Sequence, residues 1–376
     1  MGAYAAMASL AFGLAGCGTA GAPSNSAVTV AGTTLSIYAS QPPGDSGGQV
    51  ATDVFDAEKL AFAQSGAKVG PYQLRFEPVH ADEVSADARQ VISDKTAIAY
   101  LGEIPPGTSG VSVQITNEVG LLQVSPTDTA AYLTKATPGV NGSPEHFYPA
   151  HSNFHETFGR VVPSSAAEAT AIVAHMKAMG VSTLAVDNDG TDYGLSVAQE
   201  VRSDATAAGI GNGSGGAFFY GGEPGSAAAT ALDRAVQSDP QVKLFAPSAL
   251  YDDGFVSGLS SAAQGALTVS APGFLPGALD PVGAAFEKTF RSRYGHAPAP
   301  QAIFGYEAMR AVLAALAQAG THASVRQQVV ADFRDLKRTA TQSALGAYTI
   351  DGGDTNIAPF VFAGVSGGRL VPRAAG

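Results

Sequence analysis

The feature that most limits how this chain can fold is the alternation of two hydrophobic periods along most of its length. Residues 34–39 place Leu35, Ile37 and Ala39 two apart, the period of a strand. After a Gly/Pro loop at 40–48, Val50, Val54, Ala57 and Ala61 recur at the helical period. Tyr72, Leu74 and Phe76 alternate again, and Val84, Ala88, Val91 and Ile92 mark a second helix. Residues 97–101 predict a short buried strand, Val111 and Ile115 a third helix, and residues 121–124 a fourth strand. Parallel strands need a crossover to return the chain. A series of this kind therefore builds a parallel sheet with helices on both faces.

A turn-rich passage at 125–149 interrupts the pattern, which then resumes with a strand at 158–162 and a helix at 164–179 carrying Ile172, Met176 and Met179. Strands at 183–186, 217–220 and 242–246 alternate with helices at about 195–207 and 226–237. Helices near 282–293, 303–319 and 325–336 follow, then short strands near 347–350 and 359–362. The fold class expected is α/β, two doubly wound lobes, and 376 residues suit two domains.

Charge narrows the partners. The chain has 32 acidic and 21 basic residues, a formal net charge of −11, and no Lys/Arg block, which argues against nucleic acid. A single Cys rules out an internal disulfide framework and a Cys-based zinc site. That residue, Cys17, follows an apolar run at 3–14 and the small residues Ala15 and Gly16, and a Gly/Ala/Pro/Ser/Asn/Thr-rich stretch runs on to about Thr33. The order resembles a bacterial lipobox: residues 1–17 are read as a lipoprotein signal peptide with Cys17 lipidated, and 18–33 as a flexible tether. No Lys or Arg precedes the apolar run, so the start codon is expected upstream of Met1. Export and anchoring to the outer face of the cell membrane follow from this reading.

Catalytic and cofactor signatures are weak. Gly211, Gly213 and Gly216 satisfy a dinucleotide-binding spacing but precede a strand instead of opening a helix. His146, His151, His155 and Glu156 lie in a loop entering a strand, a spacing that does not by itself converge ligands on a metal. No phosphate loop or zinc-protease helix is present. No enzyme activity, cofactor or metal is expected.

From residue 97 onward the residues carry a resemblance. Ala-Ile-Ala-Tyr-Leu-Gly-Glu at 97–103, Thr-Ser-Gly-Val-Ser at 108–112 and Asn-Glu-Val-Gly-Leu-Leu-Gln-Val-Ser-Pro-Thr-Asp-Thr at 117–129 are similar to the type I periplasmic binding proteins. Within that family they look most like the leucine/isoleucine/valine-binding group of ABC importers. Arg-Val-Val-Pro at 160–163, Asp-Tyr-Gly at 192–194, Phe-Tyr-Gly-Gly at 219–222, Ala-Gln-Gly at 263–265 and Ala-Ile-Phe-Gly-Tyr-Glu-Ala-Met at 302–309 recur in family order. The resemblance implies a ligand cleft between two lobes joined by three crossovers near 161–164, 269–272 and 359–364. Lobe one would be 34–161 plus 271–360, and lobe two 162–270 plus 361–376. A small polar, amino-acid-like ligand, an ABC permease as partner, attachment to the membrane through the lipid and a monomeric state are implied with it. A ligand-sensing receptor module for a signalling or amide-metabolism partner is the alternative on the same fold. The absence of an appended signalling domain favours transport.

Candidate ligand residues follow strand ends. Gly107, Thr108 and Ser109 precede a helix whose free N–H groups and dipole favour an anion, and Thr127, Asp128 and Thr129 follow the next strand. Ordinary turn and cap roles are the alternative for these residues. Where relatives carry a gripping Ser, this chain has Pro105 and Pro106, which lack both hydroxyl and N–H. Where relatives hold an ammonium with acids, it has Ser165 and Ala249, leaving Asp128 and Glu223 to supply that charge. Tyr193 matches a position where the family places an aromatic over the ligand, and Tyr306 on a later helix is a further candidate; packing is the alternative for both. Between about Ala208 and Ala217, relatives have an additional strand and helix, so an unpaired strand or uncovered apolar face is expected there.

Overall fold

The computed structural model describes residues 27–42, 48–80, 83–275 and 277–373. The first half of the chain runs β1 (Thr34–Ser40), α1 (Gly48–Gln64), β2 (Lys68–Val69), β3 (Tyr72–Val79), α2 (Val84–Ser93), β4 (Ala97–Leu101), α3 (Ser109–Asn117), β5 (Leu122–Ser125), α4 (His151–Phe154) and β6 (Phe158–Arg160). Next come α5 (Ser165–Ala178), β7 (Thr183–Asn188), α6 (Asp192–Ala207), β8 (Gly211–Asn212), β9 (Ala217–Gly221), α7 (Ser226–Ser238), β10 (Lys243–Ala246), α8 (Asp253–Ser257), α9 (Ser261–Ala266) and β11 (Leu267–Pro272). The chain ends with α10 (Pro281–Tyr294), α11 (Ala302–Ala319), α12 (Arg326–Arg334), β12 (Lys337–Arg338), β13 (Tyr348–Asp351), β14 (Asp354–Thr355), β15 (Phe360–Ser366) and β16 (Arg369–Arg373).

Two large sheets result. The first has the order β2-β3-β1-β4-β5-β6, parallel except for β2. All five residues of β4 are buried, as an apolar run between two helical layers requires. Leu35, Ile37 and Ala39 of β1 share a core with α1 and α11. Those helices meet at Gly305, where a Cβ would stand 2.3 Å from the Val54 carbonyl oxygen, so only glycine permits this approach.

The second sheet has the order β16-β15-β11-β10-β9-β7-β8. Strands β7 to β11 run parallel, and β15 and β16 close one edge antiparallel. The chain passes between sheets after β6, after β11 and before β15. The last two passages lie side by side, with Gly273 N–H donating to the Pro359 carbonyl at 3.1 Å.

Several expectations change. Met179 and Val111, read as core, are exposed. α3 instead buries Ser112, Val113 and Thr116, with both hydroxyls bonded to the buried Gln123 amide. The end of the stretch read as tether is pinned: Val30 is buried, and Val28 and Val30 are hydrogen-bonded to Gln327 and Ser324. Cys17 lies outside the described residues. The strand β16 was not anticipated, since its Pro372 weakens a strand reading except at a sheet edge, where it sits. Beside β7, the short Gly-rich interval supplies only the two-residue β8 as edge partner. A hollow of about 580 Å³ remains over this outer face, floored by Ala185, Phe218 and Tyr220. Finally, the turn-rich passage is no bare loop. Tyr132, Leu133, Val140, Phe147 and Tyr148 form one apolar cluster with α5, α6 and Phe219, so packing continues from the first sheet's loops to the second sheet's helices.

Candidate functional site

The seam between the sheets is built from the loops that follow β4 and β5 on one side. The N-terminal ends of α5 and α6 and the loop after β10 form the other. α6 starts where it does because Thr191 caps it, its hydroxyl accepting from Gly194 N–H at 3.0 Å. Asp189 fixes the preceding turn, accepting from Thr191 N–H, Thr191 Oγ1 and Glu223 N–H. This places Tyr193 in the seam, 1% exposed, with its Oη 3.5 Å from Thr129 Oγ1. Burial, with the nearby Glu168 carboxyl, holds its phenol well above the ordinary value.

Asp128 is fully buried, and its carboxylate spans the start of α3. Oδ1 accepts from Gly107 N–H at 2.7 Å and Ala130 N–H at 3.0 Å, while Oδ2 accepts from Ser109 N–H at 2.8 Å. The loop expected to grip a ligand anion with its own N–H groups thus has those donors taken by a side chain of the protein. Arg160, also fully buried, donates to the Asp128 and Ala130 carbonyls and to Thr134 Oγ1, and its Nε lies 3.1 Å from Asp354. It locks the 128–134 loop against β14.

A residue that the sequence reading passed over stands at the centre. Glu168 of α5 is fully buried and accepts from Ser248 N–H at 2.6 Å, Ser248 Oγ at 3.0 Å and Ser270 Oγ at 2.5 Å, the last on the crossover strand β11. Burial pushes its carboxyl up to about 7, and does the same to Glu200 of α6. The signal was present: Glu168, Ile172 and Met176 are spaced i, i+4, i+8 on the buried stripe of α5.

The sequence-derived candidates therefore divide. Gly107, Ser109, Asp128, Thr129 and Tyr193 come together in the seam. Thr108 turns its hydroxyl back onto the Pro105 carbonyl at 2.6 Å, and Thr127 bonds the Ile104 carbonyl from a buried position. Glu223 is exposed at the rim, its carboxyl raised by partial burial and by Asp189 and Asp128. Tyr306 lies in the helical layer, bonded to Gln64 at 2.5 Å and packed on Phe286, because α11 is buried on several sides. His151 bonds Glu156 at 3.1 Å, and Glu156 also pairs with Arg334, an arrangement of ion pairs. Among the described residues no group of three or more His, Cys, Asp or Glu is arranged to hold a metal. None of the described helices is long and apolar enough to cross a membrane.

Further along the seam the two sides part around a cavity of about 560 Å³. Gln49, Asp53 and Phe286 line it from the first sheet's helices, Tyr251, Asp252 and Leu370 from the second lobe, and Phe274 from the crossover between them. Asp53 braces one wall, accepting from Gln49 Nε2 at 2.7 Å and Ala299 N–H at 2.8 Å, and lying 2.9 Å from His296. Asp252 caps α8, and Asp253 accepts from Leu370 N–H at 2.8 Å, tying α8 to β16. Tyr251 shares its loop with Ser248, the partner of Glu168, so one short segment lines the cavity at one end and holds the tight seam at the other.

Comparison with known proteins agrees with this architecture. The family model described as "Periplasmic binding protein" matches residues 214–369. An ABC transporter substrate-binding protein from Desulfitobacterium hafniense, solved in complex with Leu, is 20% identical with a TM-score of 0.70, covering 90% of this chain and 100% of that one. The leucine binding protein LivK from Thermotoga maritima is 19% identical with a TM-score of 0.71, over 91% and 98% of the two chains. A solute binding protein of an ABC transporter from R. palustris, in complex with benzoate, is 15% identical with a TM-score of 0.64, over 90% and 95%. No curated protein sequence matches this chain. This chain has the type I periplasmic-binding-protein fold, and its residues 214–369 match the periplasmic binding protein family.

Proposed function

We propose that this chain is the extracytoplasmic solute-binding component of an ABC importer, a hinged clamp that holds a small polar solute between its lobes and catalyses nothing. The observation that carries this reading is the cavity of about 560 Å³ with walls from both lobes and a crossover at its edge. Bending at the three crossovers near 161–164, 269–272 and 359–364 moves lobe one (34–161 plus 271–360) against lobe two (162–270 plus 361–376) and encloses the solute. The closed form is what a membrane permease would read. Tyr193, Thr129 and Glu223 contribute to the seam that closes, and Cys17 carries the lipid that keeps a monomer at the outer face of the membrane. Neighbours of the same fold were solved with leucine and with benzoate, which supports a small-molecule cargo.

A thermal-shift screen of amino acids, amines, amides, polyols and aromatic acids tests this reading. A solute that binds only the folded chain stabilises it by about 2.7 kcal/mol at a hundredfold excess over its Kd. At least one class should raise the melting temperature and contract the protein in small-angle scattering. A screen without a stabiliser rejects the reading. For the anchor, Cys17→Ser should release the chain from the membrane fraction; retention would reject it.

A further inference from the structure

We propose that Asp128 is a built-in substitute for a ligand carboxylate, and that the solute is an organic cation with an apolar body and no free carboxylate. This rests on the solute-binding reading above and narrows its cargo. The start of α3 offers backbone N–H groups and the positive end of a helix dipole, a setting made for an anion. Here both flanking donors, Gly107 N–H and Ser109 N–H, are bonded to the two oxygens of Asp128, and the third, Ala130 N–H, shares Oδ1. The nearby cation does not free them: Arg160 reaches the Asp128 carbonyl oxygen, not its carboxylate, and spends its Nε on Asp354. A solute carboxylate arriving at this loop would meet a fixed negative charge and find the Gly107, Ser109 and Ala130 N–H groups already taken.

The rest of the seam has the opposite preference. Asp53, Asp252, Asp253 and Glu287 line the cavity, and among its described residues the one basic side chain, Arg291, is paired with Glu287 at 3.1 Å. Tyr251, Phe274 and Phe286 supply aromatic surface to the same walls. Asp53 shares its charge with His296 at 2.9 Å, but among the described residues no basic side chain pairs with Asp252 or Asp253. Those carboxylates beside aromatic faces select a cation, and the apolar lining suits a hydrocarbon body. Asp192 and Glu223, both exposed, extend the negative field to the other end of the seam.

Matched pairs of probes test this by calorimetry or thermal shift: leucine against isoamylamine, and benzoate against benzylamine. Each pair shares an apolar body; the first differs only in the carboxylate, and the second exchanges a carboxylate for an ammonium. The amine of at least one pair should bind the wild-type chain at least about tenfold more tightly than its carboxylate partner. Asp128→Ala should shift that ratio by at least about tenfold toward the carboxylate by releasing the donors. Asp128→Ser, which keeps one hydroxyl acceptor for the loop, serves as the second variant, with circular dichroism confirming that the fold is retained. Equal or tighter binding of leucine or benzoate to the wild type overturns the inference, as does a ratio unchanged in a folded variant. Binding confined to neutral solutes overturns it too, while leaving the solute-binding function standing. Absence of binding across the whole screen instead removes that function.

Discussion

Gly107 and Tyr193 are in direct contact across the seam: a Cβ at residue 107 would stand 2.7 Å from the Tyr193 Cβ and 3.1 Å from its Cγ. Gly107 also holds φ at +86°, a conformation that other residues adopt only with strain. Gly107→Ala should therefore wedge the loop after β4 away from α6. We expect solute affinity to fall by roughly tenfold, with a larger radius of gyration at saturating solute. In a Tyr193→Ala background, the same change should cost less, because one of its two penalties is gone. Affinities within a factor of two of wild type, with unchanged scattering, would show that this contact does not set closure.

Glu58 is buried in α1 with neither carboxyl oxygen hydrogen-bonded among the described residues. Burial, reinforced by the nearby Glu103 charge, holds its carboxyl well above the ordinary range, so the side chain is neutral and still unsatisfied. Glu58→Met keeps the length and removes the polar atoms. It should stabilise the chain by about 1–3 kcal/mol in urea unfolding. A loss of stability would mean that the carboxyl has a partner in solution.

Glu103, Glu168 and Glu200 are each pushed up to about 7 by burial. Unfolded, they ionise at ordinary values near 4.5. The folded chain therefore holds more protons than the unfolded chain between those two values. Stability from these groups is complete below that window and lost as pH rises through it. Asp94 and Glu156, held low chiefly by hydrogen bonds, lose their contribution only at more acid pH. His175, lowered by burial, and His296, raised by Asp53, act in opposite directions. The melting temperature at about pH 5.5 should exceed that at about pH 8 by roughly 3 °C or more. Glu168→Gln should flatten the dependence; an unchanged slope would assign it to other groups.

Arg160 binds two carbonyls, one hydroxyl and one carboxylate from a fully buried position. Arg160→Ala should cost about 3–5 kcal/mol, because it strips the buried Asp128 and Ala130 carbonyls of their donor and leaves Asp354 only Thr134 and the exposed Lys135. Arg160→Lys should restore little, since an ammonium cannot reproduce the guanidinium fork. Urea denaturation of both variants is the measurement, and near-wild-type stability of the lysine variant would contradict a fork-specific role.

Local pattern was enough wherever a segment's burial repeats with its own backbone period. Residues 97–101 read as a buried strand because five consecutive apolar positions have no other easy fate, and β4 is that strand. Glu168 was equally legible, an acid on the apolar stripe of α5, yet the periodic reading attended to Ile172 and Met176 and passed over it. The reading of α3 failed at Val111 because its buried face is polar, and a pattern of apolar residues cannot report Ser112 and Thr116 hydrogen-bonded to Gln123.

The alternation of the main parallel strands with their helices, and with it the α/β class, was determined by the sequence alone, because those patterns are local and set by two fixed periods. The occupant of the anion-binding loop was decided only by tertiary structure. Asp128 stands about twenty residues from the N–H groups of Gly107 and Ser109, and nothing in its type or neighbours says whether its carboxylate points outward to a solute or inward to those donors. That choice is made where two loops from adjacent strand ends pack together, and packing between distant segments has no period to read.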